Sequence, residues 1–307
     1  MAEQVWDSFA RLNAGDRFKR QSAEMGAAVT EAIVKEARVG EAVTQAIAQA
    51  VAQAVNQAVT RAVTQAVTQA GPEGGAVRVL DLACGSGEPS ISIAALLKGK
   101  GQVVGVDMAA APLEVARERA RKRGLDNVEY LQADVHALPF EEASFDRVTS
   151  RLGVMFFGDL AKALAEMRRV LKPGGRVALL AWGAMEQPYF DTTIGTVRRV
   201  RQELEMPAAA RAMFKFGVPG TLAGRLREAG FDEAEDRVRK LRWDWHGSPE
   251  EMWDYFRGVT VPFRALLEKV AGDAEVDRAV LAELGKRFDG EWVRFEAEMV
   301  VATGVKA

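Results

Sequence analysis

This chain has one cysteine and two histidines in 307 residues. The lone cysteine, Cys84, excludes an internal disulfide and fits a reducing compartment. Together with His136 and His246 it makes no transition-metal site of any familiar spacing. A dominant charge is missing too: 41 Lys and Arg stand against 43 Asp and Glu, for a net charge of −2. That near-balance argues against a general nucleic-acid binder. No uncharged apolar stretch has the composition of a membrane span. The opening MAEQVWDSFARLNAGDRF carries charges throughout and lacks the apolar core of a signal peptide. These absences lead to the expectation of a cytoplasmic protein with no membrane span and no nucleic-acid partner. An apolar share of 48% and a charged share of 27% are ordinary for a globular chain. The length suits one α/β core with added helices.

The most informative stretch is VRVLDLACGSGEP at 77–89, followed by QVVGVDMA at 102–109. Val77 to Ala83 is an apolar, β-branched-rich run of strand length, as in a buried parallel strand. It ends in Gly85 and Gly87, then Glu88 and Pro89, which suit the opening of a helix. Glycines at such a turn let the backbone approach a ligand. A second strand ends in Asp107, where an acid can accept both hydroxyls of a ribose. A nucleoside-bearing cofactor is therefore expected here.

The dinucleotide fingerprint G-x-G-x-x-G requires a third glycine where this chain has Ser90. Pro89 also removes one of the N–H groups a pyrophosphate would use. The block instead resembles motif I of class I S-adenosylmethionine-dependent methyltransferases, acid-x-(Gly/Ala)-Cys-Gly-x-Gly, filled by Asp81, Ala83, Cys84, Gly85 and Gly87. VEYLQADVHALPFEEASFDRV at 128–148 is similar to the third and fourth strands of these enzymes. RLGVMFFGDLAKALAEMRRVLKPGGRVALLAWG at 151–183 is similar to their following helix, Lys-Pro-Gly-Gly turn and fifth strand. The resemblance is strongest to the ubiquinone/menaquinone-biosynthesis methyltransferase-like group.

That resemblance implies an α/β fold: a doubly wound, Rossmann-like seven-stranded sheet with an antiparallel edge hairpin, a helical N-terminal extension and helical cap insertions. It implies a methyltransferase using S-adenosyl-L-methionine and a small-molecule acceptor, aromatic or quinone-like acceptors included. The cofactor residues it implies are Asp81, Ala83, Gly85, Gly87, Asp107, Met108, Ala133, Asp134, Val135, Ser150 and Arg151. Asp81 near the turn suits a cationic sulfonium. An NAD(P)-dependent oxidoreductase, or a binding or scaffold protein on the same fold, stays open as an alternative.

The chain divides into N-terminal helices at 1–40, a repeat and Gly-rich linker at 41–75, a cofactor-binding core at 76–187, and cap helices with the last two strands at 188–307. Apolar spacing predicts a helix over 22–39. Positions 42–69 are seven tandem tetrads, AVTQ-AIAQ-AVAQ-AVNQ-AVTR-AVTQ-AVTQ. Four residues advance a helix by about 400°, so the valine row winds by roughly 40° per tetrad and no single face stays apolar. The repeat reads as a long projecting helix outside the active site; a partner-binding or self-associating helix, and a β-rich form, are the alternatives. Strands are expected near 77–83, 102–107, 128–133, 145–150, 175–182 and 231–243, with a final one at 292–305. Pro188 to Phe216 reads as helical. Ser248, Pro249 and Glu251 form a capping box, with helices over 249–288.

In-line methyl transfer needs mainly positioning, which can supply roughly 7–11 kcal/mol; a base is needed only for a protonated nucleophile. His246, between Trp245 and Gly247, is the candidate base, ahead of His136. The basic run Arg117 to Arg123 reads as a solvated helix face. Phe214, Phe216, Trp243, Trp245, Trp253, Tyr255, Phe256 and Phe263 read as core, with an apolar substrate pocket as the alternative.

Overall fold

The computed structural model describes Thr30, residues 32–33, 77–97 and 99–307. The expectations for the repeat at 42–69, and for most of the helix at 22–39, lie outside these residues; Thr30, Ala32 and Ile33 are helical.

The strands are β1 (Val77–Leu82), β2 (Gly101–Asp107), β3 (Val128–Gln132), β4 (Phe145–Arg151), β5 (Leu171–Trp182), β6 (Asp232–Arg242), β7 (Trp245–His246), β8 (Trp292–Val293) and β9 (Glu296–Val305). Seven form one sheet in the order β3-β2-β1-β4-β5-β9-β6. The pairs β1–β2, β1–β4, β2–β3 and β4–β5 are parallel. The order reverses between β1 and β4, the switch point at which open α/β sheets bind ligands. β9 lies between β5 and β6 at the far edge, and β7 and β8 pair antiparallel.

Each of the first strands feeds a helix. Ser90–Leu96 (α1) follows β1 and Ala110–Lys122 (α2) follows β2. Leu160–Val170 (α3) precedes β5, capped by the Asp159 carboxylate, which accepts from the Lys162 N–H at 3.0 Å. Apolar β1 residues Val79, Leu80 and Leu82 are fully buried, as a strand covered on both faces requires. The Lys172–Gly175 turn bulges out of β5: Phe145 pairs with Leu171, but Arg147 pairs with Arg176.

The chain forms two compact units. One holds the sheet described above as far as Leu180, together with 220–237 and 301–307. There Arg176 ion-pairs with Glu233 at 3.1 Å, and the Lys306 ammonium donates to the Leu171 carbonyl at 2.8 Å. The other includes 181–219 and 238–300. Its core is aromatic. Trp182, Phe190 and Trp243 meet edge to face, Tyr189 stacks on Trp182, and Phe256 and Phe263 pack behind them. The aromatic residues past 188 thus pack on one another.

Two expectations need correction. The helix expected over 188–216 is broken: helical turns run from Pro188 to Val200, and after a loop Ala208–Met213 resumes. Pro207 lacks an N–H and fixes an extended residue ahead of that second start. The single strand expected over 292–305 is also split. Asp244 accepts from the Phe295 N–H at 2.9 Å, and the Phe295 carbonyl accepts from the Trp243 N–H at 3.0 Å. This clamp turns the chain between β8 and β9.

Candidate functional site

β1 leaves the sheet at Leu82, and the next residues coil tightly: Ala83, Gly85 and Gly87 have φ of 54°, 53° and 102°. The Cys84 N–H donates to the Val106 carbonyl at 3.0 Å, laying the turn across the end of β2. There the Asp107 carboxylate accepts from the Gly85 N–H at 2.9 Å with one oxygen and from the Ala109 N–H at 3.0 Å with the other. Each oxygen keeps a lone pair, the pairing that two vicinal ribose hydroxyls would use. Burial pushes the Asp107 carboxyl above the usual range. Among the described residues, nothing lies within 4 Å of where a Cβ on Gly85 would stand, so none of them fills the space above this backbone.

Asp81 is fully buried beneath the turn. Its carboxylate accepts from the Ser90 N–H at 3.0 Å, the Ser90 hydroxyl, and the Thr149 hydroxyl at 2.9 Å. Burial pushes it up to about 7, against the opposing pull of these donors and of Arg151. Asp81 thus ties β1, β4 and the start of α1 together below the open face.

Gly87 answers a packing demand. A Cβ there would come 2.7 Å from Ile91 Cδ1, 3.0 Å from the Tyr130 hydroxyl and 3.1 Å from Ala116 Cβ. Gly105 in β2 does the same for the Tyr130 ring and the Cys84 sulfur, at 2.6 and 3.0 Å. Cys84 is buried in this cluster, with its thiol pushed up by burial. Gly105 and Tyr130 escape sequence reasoning because their partner lies far along the chain.

The run after Asp107 is not simply solvated. Arg119 donates to the Ser86 carbonyl at 2.7 Å and lies 3.6 Å from the Glu88 carboxylate, and Arg117 donates to the Tyr130 carbonyl at 2.7 Å. α2 thereby braces the turn from outside. The signal that could reveal it is the helical spacing of Arg119 and Arg123, both within ion-pair reach of Glu88.

At the end of β3, the Ala133 N–H donates to the Asp107 carbonyl at 3.1 Å, and Met108 is half exposed. Asp134 accepts from the His136 N–H and binds the ring Nδ1 at 2.6 Å, while Nε2 accepts from the Asp159 N–H at 3.2 Å. Both His136 nitrogens are therefore engaged. The His136 N–H holds the Asp134 carboxyl below the usual range. Val135 stands in the same turn, partly buried. At the end of β4, the Ser150 hydroxyl is buried with no hydrogen-bond partner, and Arg151 Nε donates to the Glu88 carbonyl at 3.3 Å. An orphaned hydroxyl and an open glycine backbone beside an acid fit a polar, phosphate-free ligand at this edge.

His246 belongs to the chain's other unit. It is on β7, half exposed, stacked on Trp292 at 4.4 Å and 3.4 Å from Glu291. Among the described residues it is not part of the lining of two cavities in that unit, of about 730 and 500 Å³.

Residues 49–198 match the model of the ubiE/COQ5 methyltransferase family. The 2-phytyl-1,4-naphtoquinone methyltransferase of Thermosynechococcus vestitus is 34% identical over 165 residues, covering 51% of this chain and 72% of that one. The chain belongs to this family. That family is the ubiquinone/menaquinone group of class I S-adenosylmethionine-dependent methyltransferases. The demethylmenaquinone methyltransferase of Thermus thermophilus is 41% identical over 125 residues, 38% of this chain. The chain spans only 56% of that relative's length. Among solved structures, YcgJ of Bacillus subtilis matches at 22% identity and a TM-score of 0.48, over 75% of this chain and 92% of that one.

Proposed function

We propose that this protein transfers a methyl group from S-adenosylmethionine to a small-molecule acceptor, by direct in-line displacement. The observation that carries the reading is the Asp107 carboxylate, fixed by the Gly85 and Ala109 N–H groups at the end of β2, beside open backbone at Gly85. When bound, S-adenosylmethionine supplies an activated methyl group on a good leaving group. Asp107 would hold the ribose hydroxyls, and Ala133, Asp134, Val135 and Met108 would border the adenine. Gly85 would let the methionine end lie against the backbone, with the Ser150 hydroxyl as a free polar partner. Asp81, Ala83, Gly87 and Arg151 would shape the turn that does this.

Positioning is the chief demand on such an enzyme, so the reading routes no proton through His246 or His136. A quinone-like or aromatic acceptor is favoured by the Thermus relative's name. Among the described residues no helix is long and apolar enough to cross a membrane. Near-balanced charge and a single cysteine support a cytoplasmic enzyme that does not bind nucleic acid.

Calorimetric titration with S-adenosylmethionine, S-adenosylhomocysteine and NADH tests the cofactor. Binding of the first two is expected. Tight binding of NADH with no response to S-adenosylhomocysteine would establish a dinucleotide enzyme instead.

A further inference from the structure

The unit that includes 181–219 and 238–300 contains a cavity of about 730 Å³ that the cofactor reading does not use. Its volume falls in the range of small-molecule sites. Phe190, Ile194 and Met206, all buried, form its apolar wall. Its polar wall is unevenly charged. Arg199 and Asp191 neutralise each other at 2.7 Å, and the second terminal nitrogen of Arg199 donates to Thr196 and to the Asp191 carbonyl. Two further arginines, Arg198 and Arg287, remain against a single carboxylate, that of Glu186 on the exposed rim.

Arg287 is held from two directions. Its Nε donates to the Thr192 hydroxyl at 3.0 Å, and its guanidinium lies over the Phe295 ring, 5.1 Å from the centroid. Among the described residues, its two terminal nitrogens have no hydrogen-bond partner. A guanidinium anchored through Nε and one face keeps a planar pair of donors on its outer edge, which matches a carboxylate. The same wall carries a π-helical turn, Asp191–Gly195, a conformation frequent at functional sites. A Cβ on Gly195 would approach Asp191 Oδ1 to 2.8 Å, so glycine there leaves the neutral pair undisturbed. A neighbouring cavity of about 500 Å³ shares Pro188 and Arg287 with this one, and there Asp244 holds both Arg242 and Arg294.

We propose that the larger cavity binds an apolar carboxylic acid. Its hydrocarbon part lies against Phe190, Ile194 and Met206, its carboxylate sits on the outer edge of Arg287, and Arg198 supplies the second positive charge. No residue of the glycine turn takes part, so this site stands or falls independently of methyl transfer.

Isothermal titration of the full-length protein with decanoate tests it, with decan-1-ol and decyl phosphate as comparison ligands. Decanoate is expected to bind about tenfold or more tightly than decan-1-ol, and Arg287→Gln to remove that advantage. Arg198→Ala changes an exposed side chain without a partner among the described residues, so it leaves the fold intact; it should weaken decanoate several-fold. Should Arg287→Gln fail to fold, judged by circular dichroism, Arg198→Ala decides the matter. Titration of the same samples with S-adenosylhomocysteine should be unchanged, which separates this site from the cofactor site. Absence of decanoate binding, equal affinity for decan-1-ol, preference for decyl phosphate, or wild-type affinity in Arg198→Ala would each overturn the proposal.

Discussion

Asp107 and Asp81 are two acids of one turn with different work. Asp107 presents its remaining lone pairs to the open side, whereas every contact of Asp81 is internal. Asp107→Ala should therefore weaken S-adenosylhomocysteine binding by about ten- to a hundredfold, the equivalent of roughly 1.5–3 kcal/mol for charge-assisted hydrogen bonds. Calorimetry on folded variant protein checks this, and unchanged affinity would mean the ribose is held elsewhere. Asp81 should instead show itself in stability against pH. Its pKa rises from 3.8 to about 7 on folding, because burial disfavours the charged form. A carboxyl raised in the folded state contributes fully below the unfolded value and loses its contribution as pH climbs through the folded one. The melting-temperature difference between wild type and Asp81→Asn should accordingly shrink from pH 4 to about 7 and level off above. A difference that widens over that window would contradict the assignment. The two glycines divide in the same way. Gly87→Ala forces a methyl group toward Ile91, Tyr130 and Ala116, which should cost on the order of 1–3 kcal/mol of stability. Gly85→Val meets no described neighbour but fills the space and is strained at a φ of 53°, so it should lose cofactor affinity as well as stability. Thermal melts and titrations of both variants distinguish these outcomes.

At the scale of elements, local signals were legible where one short stretch decides the outcome. The capping box is complete: the Ser248 hydroxyl accepts from the Glu251 N–H and the Glu251 carboxylate accepts from the Ser248 N–H, both at 3.2 Å. Ser248→Ala should destabilise the helix Pro249–Val259 by about 1 kcal/mol, read as a melting-temperature drop of a few degrees. An unchanged melt would show that packing of Trp253 and Phe256 alone holds this helix. Signals that depend on distant partners were not legible. The split between β8 and β9 is made by Asp244, 51 residues before Phe295. Arg119 reads as one of several surface arginines until the fold brings it to Ser86, 33 residues away. Gly87 looks like a ligand-facing glycine, and its interior demand shows only once the fold brings Ile91, Tyr130 and Ala116 around it.

At the scale of the whole molecule, alternating apolar runs and glycine turns made the parallel part of the sheet readable from Val77 to Trp182. Beyond Pro188 the second unit is ordered by rings meeting across long separations, such as Tyr189 with Phe256 and Phe295, and no periodicity announces such pairings. The seven tetrads at 42–69 are a different matter, since their character is written in the sequence itself. No tetrad carries a side chain suited to ligand chemistry. If the repeat is helical, as its alanines and glutamines favour, its valine row winds by roughly 40° per tetrad and would not pack continuously on one flat partner. Among the described residues, the hydrogen bonds to the Asp81 and Asp107 carboxylates come from Gly85, Ser90, Ala109 and Thr149. Joining Glu41 directly to Gly71 should therefore leave S-adenosylhomocysteine affinity within about twofold of wild type, well under the tenfold that 1.4 kcal/mol would bring. If the valines mediate self-association, the deletion should also lower the apparent size in chromatography. A deletion variant that keeps its circular dichroism yet loses cofactor binding would show that the repeat supports the site after all.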